Sequence, residues 1–159
     1  MRQPSRSAIA GIVLSASALV GIALHEGYSD TAIIPVPGDV PTIGFGTTGG
    51  VKPGDRITPP KALARALTDV QKFEGALKQC VKVPLAQYEY DAYVSLAYNI
   101  GSSAFCGSTL VKKLNQQDYA GACTSILQWD KFKGRPLPGL TKRRQDEYRL
   151  CMNQPREAT

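Results

Sequence analysis

Ala8 through Leu24 is a run of seventeen residues without a charge, preceded by Arg2 and Arg6 with no acid between Met1 and Ser7. Nothing else in the chain restricts its possible fates as strongly. A basic stretch followed by an apolar run is the pattern of an export signal or membrane anchor. As one helix it would span about 25 Å at 1.5 Å per residue, a little short of the roughly 30 Å hydrocarbon core. Nine of its seventeen residues are Ala, Gly or Ser, so each side chain buries little area and the hold on lipid is weak. Three fates stay open: cleavage, a permanent anchor, and an anchor that inserts and is later released. Ala16-Ser17-Ala18 and Gly21-Ile22-Ala23 resemble small-residue processing sites. Cleavage after Ala23, however, would leave Glu26 two residues from a free terminus, and a reactive carboxylate needs a rigid scaffold. The preferred division is an uncleaved N-terminal signal anchor, 1–24, and a body, 25–159.

The 159 residues suffice for one globular domain with a core, not for two large ones. Net charge +6 predicts attraction to polyanions: nucleic acid, acidic lipid or an anionic cell wall. Cys80, Cys106, Cys123 and Cys151 are spaced 26, 17 and 28 residues apart, without the close pairs of a structural zinc site. No metal or cofactor is expected. An even count behind an export signal favours two disulfides and a domain working outside the cytoplasm. Of the three pairings open to four cysteines, Cys80 with Cys106 and Cys123 with Cys151 is preferred by a narrow margin.

Along the body, Ile33 to Val51 is rich in Gly, Pro and β-branched residues and predicts a small β-hairpin or three-stranded lobe around Thr42-Ile43-Gly44-Phe45-Gly46. Thr58-Pro59-Pro60 marks a helix start, with Leu63, Leu67, Val70 and Leu77 following at helical spacing. Further helices are predicted for Gln87 to Ile100, Ser108 to Leu114, Tyr119 to Trp129 and Thr141 to Cys151. Lys131 to Gly139 is expected to be a basic loop. The fold class is therefore α+β: a short β element followed by about five helices.

The chemistry concentrates in His25-Glu26-Gly27-Tyr28-Ser29 and Pro41-Thr42-Ile43-Gly44-Phe45-Gly46-Thr47-Thr48. With these segments the sequence resembles the phage-type lysozymes of glycoside hydrolase family 24. Ala97-Tyr98-Asn99-Ile100-Gly101, Phe105 to Leu110, Lys113-Leu114-Asn115 and Gly139 to Arg144 match segments usual in the lambdoid members, in the same order. The resemblance covers roughly residues 24 to 151. It implies a lysozyme-like fold, in which a β-lobe and a helical lobe enclose a cleft with Glu26 at the join. It also implies hydrolysis of the link between N-acetylmuramic acid and N-acetylglucosamine in peptidoglycan. Resemblance to signal-anchor-release members further implies an enzyme exported to the periplasm by the export machinery, tethered through residues 8–24 to the inner membrane, then released by refolding. A monomer is expected.

Glycoside hydrolysis needs one carboxylic acid to protonate the leaving oxygen and a second group to supply or steer the nucleophile. Glu26 is the candidate general acid, since partial burial of a carboxyl favours its protonated form. The family pattern places an Asp or Cys nine residues after the Glu, where this chain has Pro35, and a Thr six residues later, whereas Thr42 lies sixteen after Glu26. Either Asp39 has taken over the role or Glu26 and Thr42 work alone, with the Thr42 hydroxyl holding the attacking water. Asp30 is a weaker candidate. Gly44 and Gly46 are expected to let substrate or a neighbouring backbone approach. Arg143 and Arg144 are expected near the site, pairing with Glu26 or holding substrate carboxylates, and His25 is expected to be packing or surface. Two alternatives remain: a lytic transglycosylase, which needs no base for water, and a non-enzymatic wall-binding module. Nucleic-acid binding is not expected, because no recognition element accompanies the basic loop.

Overall fold

The computed structural model describes residues 5–155. Seven α-helices and four strands follow one another in the order α1 (Ala16–Glu26), β1 (Ser29–Ile33), β2 (Thr42–Gly44), α2 (Pro59–Cys80), α3 (Gln87–Ile100), α4 (Ser102–Cys106), α5 (Thr109–Asn115), α6 (Tyr119–Ser125), β3 (Lys131–Phe132), β4 (Arg135–Pro136) and α7 (Pro138–Cys151). The α+β reading is borne out. The chain divides into two compact units, residues 19–72 and residues 1–18 with 73–159; α1 and α2 each pass from one unit into the other.

Residues 8–24, expected as one apolar helix, do not form one. Ile9–Gly11 is a single 3-10 turn, Ile12 is buried in extended conformation, and α1 begins only at Ala16. The break has a local cause: the Ser15 hydroxyl accepts the Ala18 N–H at 3.2 Å, the bond by which serine starts a helix. Among the described residues, no helix is long and apolar enough to cross a membrane.

In the unit of residues 19–72, β1 and β2 pair antiparallel, with Ser29 opposite Gly44, Ile33 opposite Thr42 and a register shift between. The other edge of β1 is taken by residues 55–57: the Ala32 N–H bonds the Asp55 carbonyl and the Ile57 N–H the Asp30 carbonyl, both at 2.9 Å. The three-stranded lobe therefore begins four residues earlier than the Gly/Pro composition indicated. Helix α2 starts at the expected Pro59-Pro60, but its inner face is Ala62, Ala66 and Val70. Leu63 and Leu67, expected inside, are 47% and 45% exposed. Sheet and helix approach so closely that a Cβ on Gly44 would lie 2.9 Å from the Ala62 Cβ, and a leucine facing inward there has no room.

The other unit is centred on α3, whose residues 89–98 are all buried. It packs against α7 and α4, while α5 packs on α6. The core includes Tyr93, Leu96, Phe105, Leu110, Leu114 and Ile126. Disulfides join Cys80 to Cys106 and Cys123 to Cys151, tying the end of α2 to α4 and α6 to the end of α7. The predicted α3 matches its observed limits. Helix α4 and the β3–β4 hairpin were not anticipated. The hairpin turns through Lys133 and Gly134, both at positive φ (49° and 80°), the two-residue turn that suits strand twist. Lysine at its first position masks that signal.

Candidate active site

Glu26 is the last residue of α1, and Gly27 ends the helix in the left-handed region at φ +68°, its N–H bonded to the Ala23 carbonyl at 3.0 Å. Glycine takes this conformation without a steric penalty. The chain turns there into β1, leaving Glu26 half-buried at the mouth of the β-lobe.

The carboxylate is packed against Gly46. A Cβ built on that glycine would stand 2.7 Å from Glu26 Oε2 and 3.0 Å from its Cδ, and Gly46 itself sits at φ +84°. Backbone conformation thus favours glycine at position 46, and any side chain there would have to displace the Glu26 carboxylate. The close approach expected at Gly46 is made by the Glu26 side chain. At Gly44 it is made by α2 through Ala62, and this glycine is buried away from solvent.

The turn that carries Gly46 is held at both ends. Ile43 and Thr47 exchange backbone hydrogen bonds at 2.9 and 3.0 Å. The buried Thr47 hydroxyl donates to Asp69 Oδ2 of α2 at 2.7 Å. Neither Thr47 nor Asp69 stood out in the sequence, where a Thr after a Gly-rich strand and an Asp on a helix are both ordinary. The pairing exists only once the lobe has folded onto α2.

Thr42 opens β2, half-buried, with its hydroxyl donating to the Val40 carbonyl at 3.2 Å. Asp39 lies in the exposed turn after Pro37-Gly38: its N–H bonds the Val36 carbonyl and its Oδ1 accepts the Val40 N–H at 2.8 Å, a local turn arrangement. Pro35 is exposed in the same loop. Asp30 pairs with Arg56 at 3.3 Å, both side chains largely in solvent, beside a shallow pocket of about 370 Å³ lined by Tyr28, Arg56, Ile57 and Lys61 among others. The Tyr28 ring packs at a tilt against Phe45, centroids 5.4 Å apart, and its hydroxyl donates to the Ile57 carbonyl.

Arg143 and Arg144, expected at substrate, are 4% and 0% exposed on α7. Both engage Glu147: Arg143 Nε at 3.2 Å from Oε1 and Arg144 Nε at 2.8 Å from Oε2, while Ser95 Oγ donates to Oε1 at 2.7 Å. Burial pushes the Glu147 carboxyl above its ordinary range, and the charges of Arg144 and Arg143 pull it back. In the sequence, the acid that shares their burial stands three and four residues further along, at Glu147. Among the described residues, no group of His, Cys, Asp and Glu is arranged to hold a metal ion.

The family model described as "Phage lysozyme" matches residues 23–147. The chain is 47% identical over 113 residues to the endolysin of Acyrthosiphon pisum secondary endosymbiont phage 1, covering 69% of this chain and 77% of that protein. It is 36% identical over 141 residues to the SAR-endolysin of Pseudomonas phage phiKMV, covering 86% and 87%. Among solved structures, the endolysin from Escherichia coli O157:H7 phage FAHEc1 superposes with a TM-score of 0.79 at 33% identity, covering 96% of this chain and all of that one.

Proposed function

The chain belongs to the phage lysozyme family and is a peptidoglycan-cleaving glycosidase, and on that premise we propose that Glu26 is the general acid of the cleavage. The observation that carries this reading is the fit of the Glu26 carboxylate against Gly46, where backbone conformation favours glycine and a side chain would displace the carboxylate. Glu26 gives its proton to the oxygen joining N-acetylmuramic acid to N-acetylglucosamine. As that C–O bond breaks, positive charge develops on the muramoyl ring, and water attacks its anomeric carbon. The Thr42 hydroxyl steers that water. Asp39, exposed and bonded within its own turn, is the weaker candidate for this task, with Pro35 standing where the family has its second acid. Gly46 seats the acid, and Gly44 acts through packing. Arg143 and Arg144 support the helical unit through Glu147.

The same reading extends to delivery. Residues 8–24 tether the exported chain to the inner membrane until the weakly held segment leaves the bilayer and joins the folded body in the periplasm. Likeness over most of the length to a SAR-endolysin supports this, as does the small-residue composition of the run.

Purified Glu26→Gln protein should keep its melting temperature and lose activity on isolated peptidoglycan by roughly 10²–10⁴-fold; retention of activity would refute the assignment. Mass spectrometry of wild-type products identifies the reaction. A reducing muramic end marks hydrolysis, and an end lighter by one water marks transglycosylation, the outcome consistent with a missing second carboxylate.

A further inference from the structure

Residues 6–15 lie outside the site just described, yet they hold an unusual density of long-range polar bonds. Arg6 grips Glu89 of α3 through Nε, at 3.2 and 3.0 Å, and through a terminal nitrogen at 2.7 Å. Its guanidinium lies 3.6 Å from the ring centre of Tyr119. Ser7 and Leu85 exchange backbone bonds at 2.8 and 3.0 Å. The Leu14 N–H donates to Glu74 Oε1 at 2.7 Å, an oxygen that also accepts the Tyr90 hydroxyl at 2.9 Å. Ser15 donates to both oxygens of Asp91, from its N–H at 3.0 Å and its hydroxyl at 2.7 Å. Gln87 Nε2 donates to the Val13 carbonyl at 2.8 Å.

All three acceptors, Glu74, Glu89 and Asp91, are buried. Each acid accepts one bond from the helical unit itself, from the Tyr90 hydroxyl, the Ala86 N–H and Gln87 Nε2 respectively, and residues 6–15 supply the remaining donors. A buried carboxylate is costly in proportion to the donors it lacks, so the three acids together form a receptor for this stretch of chain. The polar ends of the stretch make the bonds, and the apolar residue between them, Ile12, is buried.

We infer that residues 6–15 are an intramolecular latch, that Glu74, Glu89 and Asp91 are its catch, and that the Arg6–Glu89 pair closes it. Joined to the delivery reading above, on which this part rests, the latch excludes the membrane-spanning state. Arg6 precedes the apolar run, so while residues 8–24 cross the bilayer it stays on the cytoplasmic side, away from Glu89. Closure requires a charged arginine to have passed through the membrane. It also fixes Ser15, the residue that starts the helix ending at Glu26. The charge of Arg6 is thus used twice: it retains the terminus before release and locks the arm afterwards.

The test uses the purified full chain and amide hydrogen exchange at Leu14 and Ser15, whose N–H groups bond the catch directly. Arg6→Gln and Glu89→Gln should each raise exchange at both amides by about tenfold or more, the scale of hydrogen bonds to a charged group. The double variant should add little to either single change. Arg6→Gln leaves the bond from the Ala86 N–H to Glu89 in place, so it remains informative even where Glu89→Gln disturbs α3. Unchanged exchange at Leu14 and Ser15 in Arg6→Gln, or fully additive effects in the double variant, would overturn the latch. Peptidoglycan cleavage by the wild-type chain is a separate measurement. Its absence would count against the proposed acid and leave the exchange result standing.

Discussion

Two glutamates show how differently the two units of this chain use the same side chain. Glu147 is sealed in the helical unit between two arginines and a serine. Glu26, in the unit of residues 19–72, is half-buried against a residue with no side chain at all. The first arrangement surrounds a carboxylate with fixed donors and makes it part of the framework. The second sets a carboxylate against the backbone of a tight turn, so that its place depends on a glycine. The surroundings follow suit. The helical unit holds both disulfides and a core of large aromatic and aliphatic side chains, whereas the other unit is packed with Ile22, Ile43, Ala62, Ala66 and Val70. Covalent and aromatic rigidity lies in one, close backbone approach in the other.

The contrast can be broken most forcefully from the framework side. The disulfides close loops of 26 and 28 residues, so reducing either should cost about 3.5 kcal/mol on the chain-entropy model. Reduction followed by thermal unfolding should show a drop in melting temperature of many degrees; a drop of only a degree or two would mean that the helical unit does not depend on its cross-links.

A sharper cut falls on the open side. Gly46→Ala should cost about 1–3 kcal/mol of stability, because alanine is strained at φ +84°. Activity on peptidoglycan should fall by about a hundredfold as the new methyl displaces the Glu26 carboxylate. Stability and activity measured on the same preparation separate the two effects, and wild-type activity in a folded Gly46→Ala protein would show that the seat is not needed.

The smallest effect is a matter of sign. Because burial raises the Glu147 carboxyl above its ordinary value, with Arg143 and Arg144 opposing, its ionisation is harder in the folded than in the unfolded chain. Its contribution to stability is then fully present below the ordinary glutamate range and is lost as pH rises through the raised folded value. The melting temperature of Glu147→Gln, measured relative to wild type, should therefore move in favour of the variant as pH increases from about 4 to 7. Movement in the opposite direction would show that the arginines outweigh burial.

Much of this arrangement was legible in the residues. Helix α3 was readable end to end because its period is regular and Gly101 closes it. The β element around Thr42–Gly44 was readable from its β-branched residues and flanking turn glycines. What escaped depends on partners distant in sequence. Alanines beat leucines for the inner face of α2 because the sheet comes too close for larger side chains, which no helical wheel reveals. Arg143 and Arg144 were expected near the site, and their burial against Glu147 escaped because it exists only after α7 docks on α3. The break at residues 12–15 looked like continuous helix because the acids that receive it lie sixty or more residues away.

Helix α1 presents Ala16, Ser17, Val20 and Leu24 to solvent while Ile22 is buried. Positions on the outward face can change with little effect on the packed core. In lipid, each added methylene there strengthens retention by about 0.8 kcal/mol. Under the release reading, mutational drift along this one face would act as a timer, lengthening or shortening the delay before the host bursts while leaving the mature enzyme intact.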